Sequence, residues 1–132
     1  MNDDTQFCPF CIREERREVL IENDLSFATY DKYPVSTGHT LIITKRHCGN
    51  YFDLTPEEQL SCWNLVNGVK EIIKDRLHPD GFNIGININE AAGQTIPHIH
   101  IHLIPRYNGD VAEPQGGIRG VIPRKKEYPF HQ

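Results

Sequence analysis

A chain of 132 residues has room for one domain of the usual size, roughly 100–150 residues, and not for two. Its 38% hydrophobic and 24% charged content excludes a disordered or fibrous chain, and its net charge of −4 speaks against holding nucleic acid by bulk electrostatics, which needs a basic stripe. Histidine is the outlier: there are seven, and three of them fall between positions 98 and 102.

The chain starts Met1-Asn2-Asp3-Asp4-Thr5-Gln6, without the basic and apolar regions of a signal peptide. Runs such as Leu41-Ile42-Ile43 are far short of the ~20 apolar residues that span a bilayer. The expectation is a soluble cytoplasmic protein with no membrane or nucleic-acid partner, whose Cys8, Cys11, Cys48 and Cys62 are reduced. Cys8-Pro9-Phe10-Cys11 is a C-x-x-C motif. A redox role wants a strand before the motif and a helix after it, and the short stretch ahead of Cys8 does not supply the strand. Two readings stay open from these residues alone: half of a zinc site, or two packed small hydrophobes.

Val19–Asn23 and Leu25–Tyr30 are short β-rich runs around the turn pair Asn23-Asp24, which predicts a hairpin. Residues 34–38 form a loop, and the β-branched run Thr40–Thr44 predicts a buried strand. A long helix follows. Thr55 is its N-cap, Pro56 its first residue, and Glu58 completes a capping box. Leu60, Trp63, Val66, Val69, Ile73 and Leu77 recur at helical spacing as its apolar stripe, with Trp63 read as core. The run His78-Pro79-Asp80-Gly81 ends it, since neither Pro79 nor Gly81 continues a helix readily.

Phe82–Asn89 and His98–Leu103 each alternate apolar and polar residues, joined by the Gly-containing stretch Glu90–Pro97. Side chains on a strand point alternately to the two faces. If the two strands pair as a hairpin with their apolar faces on one core, the Asn row and the His row share the other surface. The element order predicts an α+β fold with an antiparallel sheet. From Arg106 to Gln132 periodicity disappears. This arm carries five bases and three acids, so it is mildly basic while the rest of the chain is acidic. It is read either as a solvated tail over the domain or as an arm closing a site for an anionic ligand. Arg106 itself is either a surface cation or a contact for distal phosphates.

Same-face residues on a strand repeat every ~6.7 Å, so His98 and His102 lie ~13 Å apart. All ligands of one zinc must lie within ~2.0–2.3 Å of it. A single ion bound by His98, His100 and His102 is therefore excluded. A neutral imidazole, with its ordinary pKa near ~6.5, is a competent nucleophile toward phosphorus and can form a covalent phosphoramidate. Ala92-Gly93-Gln94-Thr95 supplies a glycine turn with backbone N–H groups, an amide and a hydroxyl, the neutral donors that a phosphoryl transition state requires.

His98-Ile99-His100-Ile101-His102-Leu103-Ile104, with Ala92-Gly93-Gln94-Thr95 before it and Pro105-Arg106 after it, resembles the signature of the histidine triad family of nucleotide hydrolases and transferases. Gly38-His39-Thr40 and Thr44-Lys45-Arg46-His47 also resemble the family, and the similarity runs from about Phe7 to Tyr107. The resemblance implies a single domain over residues 1–132, with 106–132 as an irregular C-terminal arm. It implies a sheet of about five antiparallel strands, one long helix and a short second helix, assembled as a homodimer. It implies attack at the α-phosphate of adenine nucleotide derivatives, either dinucleoside polyphosphates such as diadenosine tetraphosphate or nucleoside phosphoramidates, through a nucleotidyl-His100 intermediate. Water or phosphate then resolves the intermediate, giving a hydrolase or a phosphorylase. His102 would contact the phosphate and Gln94 the leaving-group oxygen. Gly93, Thr95 and Asn87 would bind phosphate, Asp31 the ribose and Phe10 the base. Asn89 stands where many members carry glycine. A structural zinc on Cys8, Cys11, His47 and His98 is also implied, with no organic cofactor. His39, His78 and His131 are read as ordinary. The rival reading is a non-catalytic nucleotide-binding or regulatory module that uses the same pocket.

Overall fold

The structure, a computed structural model, describes residues 8–12 and 18–129. His131 lies outside the described residues, as does Phe7.

Five strands form one antiparallel sheet: β1 (Val19–Glu22), β2 (Ser26–Tyr30), β3 (Thr40–Thr44), β4 (Gly81–Gly85) and β5 (His100–Arg106), in the order β1-β2-β3-β5-β4. A long helix, α2 (Pro56–Leu77), crosses one face, and a single turn, α1 (Pro9–Ile12), sits on the other. The expected five-stranded sheet with one long and one short helix is what the chain forms. Burial on β5 alternates strictly, with Ile101 and Leu103 turned inward toward α2 beside Ile42, Val69 and Ile73. On the opposite face Leu41 and Ile43 of β3 join Phe27, Cys8 and Phe10 in a second small core. β3 is thus covered on both sides, which is why its sequence is an unbroken apolar and β-branched run.

The start of α2 follows from its local chemistry. The Thr55 hydroxyl accepts from the Glu58 N–H (3.1 Å), and Glu58 Oε1 accepts from the Thr55 N–H (2.9 Å). The buried Glu58 carboxylate is also gripped by both ends of the Arg46 guanidinium, at 2.9 and 2.8 Å. This bidentate hydrogen bond, stronger than the opposing effect of burial, holds the Glu58 pKa down at about 2. The expected apolar stripe holds over Val66, Val69 and Ile73, which are buried, and Leu77, which packs against the core, but not over its first two members. Leu60 is 62% exposed and Trp63 37%, while Ser61, Cys62, Leu65, Val66, Val69 and Ile73 face the sheet. Trp63 lies on the outer surface and donates its indole N–H to the Tyr51 hydroxyl (3.1 Å). The helix ends at the expected run: Leu77 is its last residue, His78 its C-cap, and Pro79 follows directly. His78 takes the left-handed conformation (φ 51°) and its N–H caps Lys74 O.

Two strand boundaries also move. β4 stops at Gly85 instead of reaching Asn89, and β5 starts at His100 instead of His98 and continues to Arg106. The hairpin itself is present, with Gly85 opposite His102 and Asn83 opposite Ile104. Gly38, at the entry to β3, has φ 92°, and a Cβ there would lie 2.6 Å from Leu77 Cδ1. Glycine therefore sets how closely this loop approaches the end of α2. In the C-terminal arm, two 3-10 turns (Gly117–Val121 and Pro123–Lys125) break the irregular chain. Two of the arm's cations are engaged locally: Arg119 donates to the carbonyls of Lys125, Lys126 and Glu127, and Arg106 is held by Asp110 and Asn83. No helix among the described residues is long and apolar enough to cross a membrane.

Candidate functional site

His100 and His102 project from β5 onto the face away from α2, into a cavity of about 470 Å³. Its walls include Phe10, Asp31, His39, Asn87, Gly93 and Thr95. The volume lies in the range of small-molecule sites, roughly 300–1,000 Å³. The strand order explains the convergence. β3 separates β2 from β5, so the end of β2 (Asp31), the start of β3 (His39) and the middle of β5 (His102) meet at one level of the sheet.

The hydrogen bonds assign the tautomer of each ring. His100 Nδ1 lies 2.8 Å from the His98 carbonyl, which only accepts. Nδ1 therefore carries the proton, and the Nε2 lone pair is left for chemistry. His39 Nδ1 accepts from the Val35 N–H (3.1 Å), so neutral His39 carries its proton on Nε2. That Nε2 is 3.0 Å from His102 Nδ1 and 3.5 Å from Asp31 Oδ2. His102 Nδ1 is then an acceptor, and its own proton sits on Nε2. Burial, the largest influence on each ring, lowers the pKa of His39 and His100 and takes His102 down to about 4. A neutral ring with a bare Nε2 thus stands beside a neutral ring that carries its proton on Nε2, their centroids 5.0 Å apart. His39, read from the sequence as an ordinary strand-start residue, sits in the site 3% exposed.

Asp31, Asn87, Gly93, Thr95 and Phe10 come together with His100 and His102 around this cavity. Gln94 does not. Its side chain donates to Gly49 O (2.7 Å) and Ile96 O (3.1 Å) and accepts from the Asn89 N–H (2.8 Å), lining a neighbouring cleft with Asn50 and Asp53. The glycine-turn donors are also engaged inside the loop: Gly93 N–H bonds Glu90 O, and Gln94 N–H bonds Asn89 O. Of the expected donors in this loop, Thr95 carries no hydrogen bond among the described residues. Asn89 adopts φ 71°, ψ 164°, a backbone conformation that strongly favours glycine.

Beside the cavity lies a second cluster. Cys8 Sγ and Cys11 Sγ are each 3.3 Å from His98 Nδ1, His47 Nδ1 is 3.2 Å from the same atom, and Cys11 Sγ is 3.1 Å from His47 Nδ1. His98 is fully buried, and its Nε2 donates to the Thr44 carbonyl (2.7 Å). Nδ1 is therefore deprotonated and faces two sulfurs and another ring nitrogen. Donors converging in this way, with the ligand's other nitrogen held by a carbonyl, fit a closed tetrahedral zinc site. Asp31, His39 and His102 also lie close enough to share an ion. There the tautomer argues otherwise, because Val35 N–H holds His39 Nδ1 and leaves the proton on the Nε2 that would have to bind metal.

The described residues thus join a bare imidazole nitrogen on an antiparallel sheet, a neutral histidine donor beside it and a neighbouring Cys₂His₂ cluster. The HIT domain family matches residues 13–109, and the chain belongs to this histidine triad family. It is 36% identical to the bis(5'-adenosyl)-triphosphatase of Dictyostelium discoideum over 106 residues, covering 80% of this chain and 70% of that one. It is 30% identical to the AP-4-A phosphorylase of Mycobacterium tuberculosis, covering 75% of this chain and 51% of the relative. Among solved structures, a Zn-bound histidine triad family protein from Mycobacterium smegmatis superposes with a TM-score of 0.75 at 33% identity, covering 83% of this chain and 81% of that one.

Proposed function

We propose that the chain is a nucleotide hydrolase or nucleotidyl transferase acting at the α-phosphate of adenine nucleotide derivatives, with His100 as the nucleophile. The observation that carries this reading is the His100 Nδ1–H bond to the His98 carbonyl, which leaves Nε2 as a bare lone pair. That lone pair attacks the α-phosphorus as the bond from phosphorus to the leaving group breaks, and the leaving group departs with the bonding electrons. His102, with its proton on Nε2, donates to the phosphoryl oxygens as their charge rises. His39 acts through His102 by holding that tautomer. Asp31 accepts from the ribose hydroxyls, Thr95 and Asn87 contact phosphate, and Phe10 flanks the base. Water or phosphate then attacks the nucleotidyl-His100 adduct, restoring the free imidazole. The names of two relatives, a bis(5'-adenosyl)-triphosphatase and an AP-4-A phosphorylase, support dinucleoside polyphosphates as one substrate class. Adenosine phosphoramidates are the other.

Cys8, Cys11, His47 and His98 would hold a structural zinc, which supplies a rigid cross-link between α1 and the sheet and takes no part in the chemistry. The proposed assembly is a cytoplasmic homodimer. In support of it, β4 is an edge strand that leaves Ile84 40% exposed. The proposed arm is residues 106–132, on a single domain.

The test is to incubate the protein with diadenosine tetraphosphate and with an adenosine phosphoramidate, with and without phosphate, and to separate the products. Turnover that disappears in His100→Ala is expected. No turnover of either substrate, or full activity in His100→Ala, contradicts the reading. One observation favours the non-catalytic alternative: Gln94 is occupied by backbone bonds and lies away from His100. That alternative predicts AMP binding without turnover.

A further inference from the structure

The metal cluster and the cavity are separated in sequence by one residue, Ile99, and two physical routes join them. The first is α1. Its single turn, closed by the Ile12 N–H bond to Cys8 O (3.1 Å), places Phe10 between the two cysteines. Phe10 is 3% exposed and meets the His98 ring edge-on (centroids 5.7 Å) and the His100 ring at 5.1 Å, while also lining the cavity. A four-residue turn has almost no intrinsic stability, so its position depends on what its side chains touch. The second route is His98 itself. Its Nδ1 belongs to the metal cluster, and its carbonyl is the anchor of the His100 Nδ1–H.

A bare Nδ1, buried against two sulfurs and a facing ring nitrogen, sets up two arrangements. With an ion the lone pairs converge on it. Without one, the only links are weak S–H hydrogen bonds from Cys8 and Cys11 to the ring nitrogens of His98 and His47, which hold α1, and Phe10 with it, less firmly. We propose that metal occupancy of the Cys8, Cys11, His47 and His98 cluster and nucleotide occupancy of the His100 cavity are thermodynamically coupled through Phe10 and the His98 carbonyl, each tightening the other. The coupling rests on the nucleotide-site reading above.

The experiment uses the full chain. AMP affinity is measured by calorimetry on zinc-loaded protein and after chelation, and zinc affinity is measured by chelator competition with and without AMP. Stripping zinc should weaken AMP binding roughly 5–150-fold, and saturating AMP should raise zinc affinity by the same factor, because coupling is reciprocal. In Phe10→Leu, which keeps apolar bulk but removes the ring edges, zinc should still bind and the coupling factor should fall clearly below the wild-type value, leaving the part carried by the His98 carbonyl. Equal AMP affinity in loaded and stripped protein overturns the coupling and leaves the nucleotide reading intact. No AMP binding to zinc-loaded protein overturns both. An undiminished factor in Phe10→Leu overturns the Phe10 route. A stripped protein that has lost its sheet signal in circular dichroism overturns local coupling, since global folding then links any two ligands of the native state.

Discussion

Two histidine clusters lie side by side on one face of the sheet, bridged by Phe10, and they differ in where their protons are. In the Cys₂His₂ cluster the Thr44 carbonyl takes the His98 Nε2–H and leaves Nδ1 bare toward Cys8, Cys11 and His47. In the cavity cluster the Val35 N–H occupies His39 Nδ1, so the proton on Nε2 is passed as a hydrogen bond to His102. One backbone group behind each ring therefore decides its chemistry: a carbonyl prepares a ligand, and an N–H prepares a donor. His100 stands between them. Its proton is held by the His98 carbonyl, and its lone pair faces the cavity. Counting histidines cannot separate these roles, because the difference lies in the second nitrogen.

The comparison breaks first at His100. His100→Ala should lower turnover of diadenosine tetraphosphate or a phosphoramidate by at least about a thousandfold, with zinc content near one per chain by elemental analysis. Retained turnover would mean that the cavity cluster is not nucleophilic. The next effect belongs to the Cys₂His₂ cluster. Cys8→Ser should abolish stoichiometric zinc and lower the unfolding free energy by more than about 3 kcal/mol in denaturant titrations. Unchanged stability would make the four residues a packed cluster and not a metal site. His39→Asn should then separate the two regions cleanly. It removes the Nε2 donor to His102, so kcat should fall about 10–100-fold with little change in KM and none in zinc content. Equal losses in zinc content and kcat would show that the clusters are not distinct.

The smallest effect lies outside both clusters. Glu58, held by Arg46 at a pKa of about 2 against an ordinary 4.5, contributes stability that is full above pH 4.5 and is lost as pH falls toward 2. Glu58→Gln should therefore be less stable than wild type at pH 6, by chemical denaturation, and the gap should narrow as pH falls through that window. A gap independent of pH would remove the ion pair from the account.

Legibility in the sequence followed the range of the interactions. The start of α2 could be read because Thr55, Pro56 and Glu58 act on one another within four positions. The alternation of His98–Leu103 gave the two faces of β5, and strand spacing alone excluded a three-histidine zinc. Only the first turns of the α2 stripe depart from the spacing, because tertiary packing sets them: Ser61 and Cys62 are small enough to lie against the sheet, while Trp63 turns out toward Tyr51. His39 was missed because its partner is 63 positions away, and only the β2-β3-β5 order brings them together. The available signal was a histidine between Gly38 and Thr40 at the start of a wholly buried strand. Gln94 is the converse case, expected near the leaving group and found bonded to the carbonyls of Gly49 and Ile96. Its side chain is aimed by the local fold of the loop at Asn89, where a non-glycine residue holds a glycine-like conformation.

The most direct measurement is a long-range ¹⁵N–¹H correlation spectrum of the histidine rings in zinc-loaded protein at neutral pH. The account predicts the proton on Nδ1 for His100, on Nε2 for His39 and His102, and on Nε2 for His98, with His98 Nδ1 shifted by metal coordination. A His100 ring protonated on Nε2, or a His98 ring protonated on Nδ1, would contradict it.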